Sequence, residues 1–451
     1  MKISHLAVLK GVGWTVGAFG AGQLLRLVTI VAIARLLAPE LFGIMAIVNS
    51  LRTGVDLLSD VGITQNIIQN KNGDDPDFYN TAWTLQLIRG PVLWLLCSAA
   101  AVPLAHLYSA PILALVLPVA ALYFICLGFT SISVPLVQRR LQFARLNSFD
   151  LFFEFSSAVA HVLFSYLSPT VWALVFAGLV PHTVRMITSY FLLPGLRLRL
   201  FISKEYAWQI FSFGKWIFFA SLMYFLSMNF DRLFLGKVAP LALLGVYGIA
   251  RSLSDPIGAL VVRLCSYVLF PILASKSETA RDHLRGRVLP VRMRALMLAV
   301  LGLSLFTVVA DLPVKILYDQ RYQEAAWMLP ILTLGLWASI LCNINETTLV
   351  GFGKPQYSAI ANSIKLAYLV VVLPLSFANY GVLGAVVVVA ASDVPRYLPI
   401  LIGQIRERFS FGLQDLCFTV IMFVLIAIGE WLRWLAGFGT SFVDLPLQAL
   451  Y

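Results

Sequence analysis

The sequence predicts an all-α polytopic membrane protein: two six-helix lobes related by internal duplication, plus one extra C-terminal helix. Three observations carry that prediction. Hydrophobic residues make up 60% of the 451-residue chain and charged residues 12%, about half the charged share of a soluble domain. Apolar runs long enough to cross a hydrocarbon core of ~30 Å recur from one end to the other. A turn sequence at the end of the first run returns in the second half of the chain. The mean hydropathy of +0.86 leaves no polar stretch long enough for a separate soluble domain.

The runs fall at residues 11–36, 40–60, 80–105, 111–137, 147–168, 170–194, 210–235, 241–272, 292–311, 325–350, 356–378, 381–402 and 414–436. Each reads as a helix, because backbone in lipid must satisfy its own hydrogen bonds. The first follows a short basic start (Lys2, Lys10) and runs to Leu37. That is too long for a signal-peptide core and predicts an uncleaved span.

Lys and Arg then set the orientation. With the N-terminus in the cytoplasm, the inner loops receive Lys2, Lys10, Lys71, Arg139, Arg140, Arg145, Arg197, Arg199, Lys204, Lys276, Arg281, Arg285, Arg287, Arg292, Arg294, Lys354, Arg406 and Arg408. The outer loops receive only Arg35, Lys237, Lys315 and Arg321. The net charge of +11 is therefore a topology signal scattered over short loops. No nucleic-acid partner is expected.

Residues 35–45 read "RLLAPELFGIM" and residues 237–247 read "KVAPLALLGVY". Each has a basic residue, then Ala-Pro, then a glycine opening the next span. Each turn closes the first hairpin of a six-span block. The organisation that follows is an N-terminal lobe over 1–194, a basic amphipathic cytoplasmic linker over 195–209, a C-terminal lobe over 210–402, and an extra helix with its tail over 403–451. Parallel repeats of this kind mark secondary transporters. A duplicated structural protein is the alternative.

The stretch "NSLRTGVDLLSD", 49–60, places Arg52, Asp56 and Asp60 in an otherwise apolar span, where each charge at mid-bilayer costs roughly 2.5–3.5 kcal/mol. At helical spacing Asn49, Arg52, Thr53, Asp56 and Asp60 share one arc of roughly 100°. The stripe reads either as a structural Arg52–Asp56 pair at i, i+4 or as the wall of a water-filled cavity. "RSLSDP" repeats the spacing as Arg251 and Asp255, and span 1 adds Gln23, Arg26 and Thr29. Arginine's bidentate fork suits phosphate. Arg26, Arg52 and Arg251, with Gln23 and Asn49, are therefore the candidate substrate contacts. Asp56, Asp60, Asp255, Glu154 and Glu346 are candidate coupling or gating acids. Asp150 and His161 with Arg185, Asp231 with Arg232, Glu346 with Lys365, and Asp393 with Arg396 are further candidate pairs.

The cysteines (Cys97, Cys126, Cys265, Cys342, Cys417) all lie in apolar runs without C-x-x-C spacing and read as packing residues. "DDPD" at 74–77 reads as a helix N-cap rather than a metal motif. No cofactor, metal or catalytic residue is expected.

"ARLLAPELFGIMAIVNSLRTGVDLLSDVGITQNIIQ", followed by "YNTAWTLQLIRG", resembles the N-terminal signature of the bacterial polysaccharide transporter or oligosaccharide flippase family, within the multidrug/oligosaccharidyl-lipid/polysaccharide exporter superfamily. "FSFGKW" and "DRLFLGKVAPLALLGVYGIA" resemble the start of its second lobe. The resemblance covers most of residues 8–402 and is strongest over 34–90. It implies a V-shaped pair of lobes in the inner membrane that move undecaprenyl-diphosphate-linked glycans to the outer leaflet. It also implies a cavity lined by arginines from spans 1, 2 and 8, where Arg26, Arg52 and Arg251 fall by span. The implied partners are the lipid-linked glycan, the bilayer, and a polysaccharide polymerase with export machinery. Members commonly have twelve or fourteen spans, so a thirteenth span at 414–436 is a departure.

Two other functions remain open on the sequence. One is a multidrug exporter of the same superfamily. The other is an integral-membrane polymerase or glycosyltransferase, which needs a large outer loop or a nucleotide-sugar site. The longest loop here, 275–291, is basic, falls on the inner side, and has no catalytic constellation.

Overall fold

Helix occupies every apolar run of the sequence in the computed structural model, which describes residues 5–59, 62–140, 142–274, 281–352, 354 and 356–442. Asp60 lies outside the described residues. In order, the helices are α1 (His5–Leu36), α2 (Pro39–Ser59), α3 (Ile63–Gln69), α4 (Pro76–Leu107), α5 (Leu113–Ala120), α6 (Leu122–Phe129), α7 (Ser133–Arg139), α8 (Phe143–Leu167), α9 (Val171–Ser189), α10 (Lys204–Val238), α11 (Leu241–Ala274), α12 (Arg281–Val308), α13 (Asp311–Leu317), α14 (Ala325–Gly351), α15 (Gln356–Ala391), α16 (Asp393–Arg406) and α17 (Gly412–Leu435). Among the described residues seven helices are long and apolar enough to cross a membrane, or eight if the bent pair Leu113–Phe129 and Ser133–Arg139 counts as one. The chain is a multi-pass membrane protein. It divides into two compact units, Met1–Phe225 with Gly236–Ala242, and Leu226–Leu235 with Leu243–Tyr451.

In the first unit α1 packs on α8, α8 on α9, and α4 on α5 and α6. The α4–α6 contact is close because both helices present glycine: a Cβ on Gly90 would lie 2.6 Å from the Phe124 carbonyl oxygen. α4 starts as the acidic run predicts. Asp75 is its N-cap, accepting from the Asp77 N–H, with Pro76 just inside the helix. Gly43 of the "RLLAPELFGIM" turn sits on backbone, since a Cβ there would lie 2.0 Å from the Leu241 carbonyl oxygen.

The fourth apolar run differs from the single span expected. It is broken after Phe129 and bent by 55°. Pro135 has no N–H to donate, and it falls in the first turn of α7, where that N–H would be orphaned in any case. The freed backbone groups find partners nearby. Gln86 of α4 donates to the carbonyls of Leu127 (2.9 Å) and Thr130 (3.0 Å), and the Ser131 N–H donates to Ser189 Oγ at 2.9 Å. A break at membrane depth is tolerated on those terms.

Between α9 and α10 the chain is extended over 196–203. Backbone N–H groups of Arg199, Phe201 and Ser203 donate to Asn80 Oδ1 (2.9 Å), Thr84 Oγ1 (3.1 Å) and Thr81 Oγ1 (3.1 Å), all on α4. Polar residues early in α4 thus serve as acceptors for an unpaired strand of backbone.

In the second unit α12 packs on α17 and α14, and α14 packs on α15 and α16. Gly381 has φ 57° and ψ −141° inside the merged α15 run. It ends one leg and starts the next, so 356–378 and 381–402 are separate segments joined without a loop. Most of the expected 275–291 loop is helix, because α12 begins at Arg281.

The thirteenth run is no appendix. α17 shares a core with α12 and α14: Phe418, Met422 and Ile426 pack with Leu296, Val300, Leu303 and Trp337. Each end is pinned by a buried ion pair to α12 or its flank. At one end Asp415 accepts from Arg292, and Arg292 also donates to Asn345 Oδ1 at 2.9 Å. At the other end Arg433 donates to Asp311 Oδ1 (2.5 Å) and Oδ2 (2.6 Å). Arg292 therefore does not act as the free loop charge assigned to it from sequence; it is 1% exposed.

A candidate anion-binding site

The polar stripe of α2 is its accessible face. Ile44, Ile47, Val48, Ser50 and Gly54 are buried, while Asn49 and Thr53 are exposed and Arg52 and Asp56 are half-buried. The i, i+4 ion pair between Arg52 and Asp56 does not form. Asp56 is held from the next long helix instead: Arg89 of α4 donates through Nη2 to Asp56 Oδ1 at 2.7 Å and to the Asp56 carbonyl at 2.6 Å. The same guanidinium donates to Ser59 Oγ, at 2.6 Å from Nη2 and 3.1 Å from Nε. The Tyr123 hydroxyl of α6 donates to Asp56 Oδ2 at 3.4 Å.

The Arg52 guanidinium lies over the Tyr123 ring, 4.4 Å from its centroid. The Tyr123 ring also meets His182 edge-on at 4.4 Å, and His182 packs on Phe153 at 5.3 Å. His161 donates from Nδ1 to the Ser157 carbonyl at 2.8 Å.

Each described deep acid of this unit is paired with one arginine. Arg89 takes Asp56 (2.7 Å), Arg185 takes Asp150 (2.9 Å) and Arg26 takes Glu154 (3.3 Å). Arg52 is the guanidinium left over, with an aromatic face beneath it and no carboxylate at ion-pair distance among the described residues. Gln23 is half-buried and its Oε1 is buried without a hydrogen-bond partner among the described residues.

The second unit is balanced differently. Arg251 forms the expected i, i+4 pair with Asp255 at 3.4 Å and lies 3.9 Å from Asp231. Arg232 reaches Asp255 at 3.2 Å, and the Tyr247 hydroxyl donates to Asp231. Beside them the expected Asp393–Arg396 pair forms, and the expected Glu346–Lys365 pair does not. Lys365 goes to Asp393 (2.9 Å) rather than Glu346, and Arg396 bridges Asp393 (3.0 Å) and Glu346 (2.5 Å). Four acids face four bases. Arg251 is thus already surrounded by carboxylates, and Arg52 is not. The unit also holds an apolar cavity of about 710 Å³ lined by α14 to α17. The polar groups at its floor, Tyr397, Asp415, Thr419 and Trp337, are bonded to one another or to their neighbours.

Arg89 and Tyr123 escaped the sequence reading. The signal for Arg89 was available, as a lone arginine in the apolar run 80–105 is an intramembrane charge that needs a partner. Nothing in the sequence pointed to Tyr123.

The chain is an all-helical multi-pass membrane protein in which Arg52 meets no carboxylate at ion-pair distance among the described residues. The chain belongs to the polysaccharide biosynthesis protein family, whose model matches residues 32–327. The succinoglycan biosynthesis transport protein ExoT of Rhizobium meliloti (strain 1021) is 23% identical over 78% of this chain and 71% of its own length. The fold is shared with the lipid II flippase MurJ in its inward closed conformation, with a TM-score of 0.70 at 12% identity over 93% of this chain and 92% of that one. It is also shared with an inward-facing multidrug resistance MATE family transporter of the MOP superfamily, with a TM-score of 0.62 at 15% identity over 85% and 94%.

Proposed function

We propose that the protein moves a lipid-linked oligosaccharide, an undecaprenyl-diphosphate-linked repeat unit, across the bacterial inner membrane by alternating access. The product would serve exopolysaccharide, capsule or O-antigen biosynthesis. Family membership and the similarity to ExoT support the pathway, and the fold shared with MurJ supports lipid-linked cargo. The observation that carries the substrate chemistry is Arg52: five N–H donors in a planar fork, resting on Tyr123 with no carboxylate at ion-pair distance among the described residues. In this proposal the diphosphate docks on Arg52, with Arg26, Arg251, Gln23 and Asn49 as the further contacts. Asp56, Asp60, Asp255, Glu154 and Glu346 are proposed as the coupling or gating acids. The protein works as a transporter, not an enzyme, with its N-terminus in the cytoplasm. A polysaccharide polymerase and export machinery are its proposed partners.

The shared MATE fold raises a drug-exporter reading. A cationic drug would need an unpaired carboxylate, and Asp56, Asp150, Glu154, Asp231, Asp255, Glu346 and Asp393 each already hold a basic residue within 4 Å. The test is to replace the chromosomal copy with Arg52→Ala or Arg251→Ala and to follow lipid-linked saccharide on the inner leaflet. Accumulation with loss of surface polysaccharide is expected. Export at the full rate in both variants would sink the docking proposal, and drug sensitivity with normal polysaccharide would favour the exporter.

A further inference from the structure

We propose that Arg89 is a positioning residue for the anion site: it holds the Asp56 carboxylate away from Arg52 and so keeps the Arg52 guanidinium available to phosphate. The proposal rests on the reading of Arg52 as a phosphate contact and adds the residue that makes this contact possible. An arginine and an aspartate four residues apart on a helix face each other and attract. The second unit shows that outcome in Arg251 and Asp255, 3.4 Å apart. On α2 the same spacing gives no pair, although Asp56 is close enough to act electrostatically on Arg52.

The difference is a competing cation from another helix. Arg89 occupies Asp56 Oδ1 at 2.7 Å, the Asp56 carbonyl at 2.6 Å and Ser59 Oγ at 2.6 Å, so one guanidinium clasps the last turn of α2. Tyr123 takes the second carboxylate oxygen, Oδ2, at 3.4 Å and offers its ring to Arg52. Both oxygens are thus engaged by groups other than Arg52. An aromatic face attracts a cation but accepts no in-plane hydrogen bond, so the fork of Arg52 is held in place with its donors open. Without Arg89, Asp56 still has Arg52 four residues earlier on the same helix. The carboxylate would then turn to it and compete with any incoming phosphate.

The experiment uses the purified full-length protein and farnesyl diphosphate as the probe, with farnesol as the uncharged control. Arg89→Gln is expected to weaken farnesyl diphosphate binding by about tenfold or more, the fold-change that matches the low end of a charge-assisted hydrogen bond. Adding Asp56→Asn to Arg89→Gln is expected to restore most of that binding, because the competing charge is gone. A residue that merely fastened α4 to α2 would not be rescued by neutralising its partner. Asp56→Asn alone is expected to bind the probe no more weakly than the wild type, and this arm stands even if Arg89→Gln does not fold. Farnesol binding should not change in any variant. If Arg52→Ala binds farnesyl diphosphate like the wild type, the reading of Arg52 falls and the role of Arg89 with it. If Arg52→Ala loses binding while Arg89→Gln keeps it, the double variant stays weak, or Asp56→Asn loses binding, the role of Arg89 is overturned and Arg52 stands.

Discussion

Replacing Asp415 with alanine is expected to lower the melting temperature of the protein on the order of 10 °C. Asp415 is 2% exposed and Arg292 1%. The carboxylate accepts from Arg292, from Asn345 Nδ2 at 2.8 Å and from the Tyr397 hydroxyl at 2.6 Å. Alanine takes this acceptor from all three donors, one of them charged, in the core of the second unit. Breaking a buried ion pair by removing one partner costs about 3–5 kcal/mol. At roughly 2–4 °C per kcal/mol for a unit of about 200 residues, the shift follows. The assay is a thermal melt of the detergent-solubilised protein followed by tryptophan fluorescence. Removing the charge from both sides, Arg292→Met with Asp415→Leu, is expected to recover most of the loss, since apolar replacement of a buried pair is commonly neutral or better. A melt for Asp415→Ala within about 2 °C of the wild type would refute the argument. The charge would then be solvated, and α17 would not depend on it.

Arg433→Ala is expected to cost a similar amount at the far end of α17. Its effect should add to that of Asp415→Ala, because 18 residues of helix from Asp415 to Arg433 place the two pairs about 27 Å apart; melts of the double variant read this directly. Gly90→Ala is expected to reduce the yield of folded protein, because its Cβ meets the Phe124 carbonyl oxygen at 2.6 Å, whereas Gly178→Ala meets nothing within 4 Å and should express normally. Burial alone would raise the Asp74 carboxyl, but hydrogen bonds from Arg139 and Arg140 outweigh it and hold the group below its ordinary value. A depressed folded value stabilises above the unfolded value of about 3.9 and is lost only as pH falls through the lower, folded one. Limited proteolysis at the 70–74 turn is therefore expected to be unchanged between about pH 7 and pH 5 in the wild type and faster at both in Asp74→Asn.

Helix positions were legible in the sequence because lipid makes a simple demand. A segment with no water to bond must be helical and apolar, and the run lengths record this directly. Capping was legible for the same local reason, as Asp75 ahead of Pro76 shows. The break after Phe129 was not. It depends on Gln86, more than forty residues earlier, supplying hydrogen bonds to the open carbonyls. Charge pairing was the least legible. Spacing along one helix placed Asp56 with Arg52, but Arg89 reaches the same carboxylate from α4. Order along the chain offered Lys365 of one span to Glu346 of the span before it, but helix packing gave Lys365 to Asp393 and Glu346 to Arg396. An ion pair inside a bundle belongs to whichever helix comes closest, and periodicity within one helix carries no record of that.

The two pairs that pin α17 also impose an order on biogenesis. α12 leaves the ribosome well before α17, and before α17 follows Arg292 has the Asn345 amide and the Phe411 ring to meet and Asp311 has Lys315. Until then Arg292 of α12 lacks the carboxylate of Asp415 and Asp311 of α13 lacks the guanidinium of Arg433, and α17 delivers both together. A chain stalled before Gly412 would hold a buried Arg292 without its carboxylate and an Asp311 without its guanidinium.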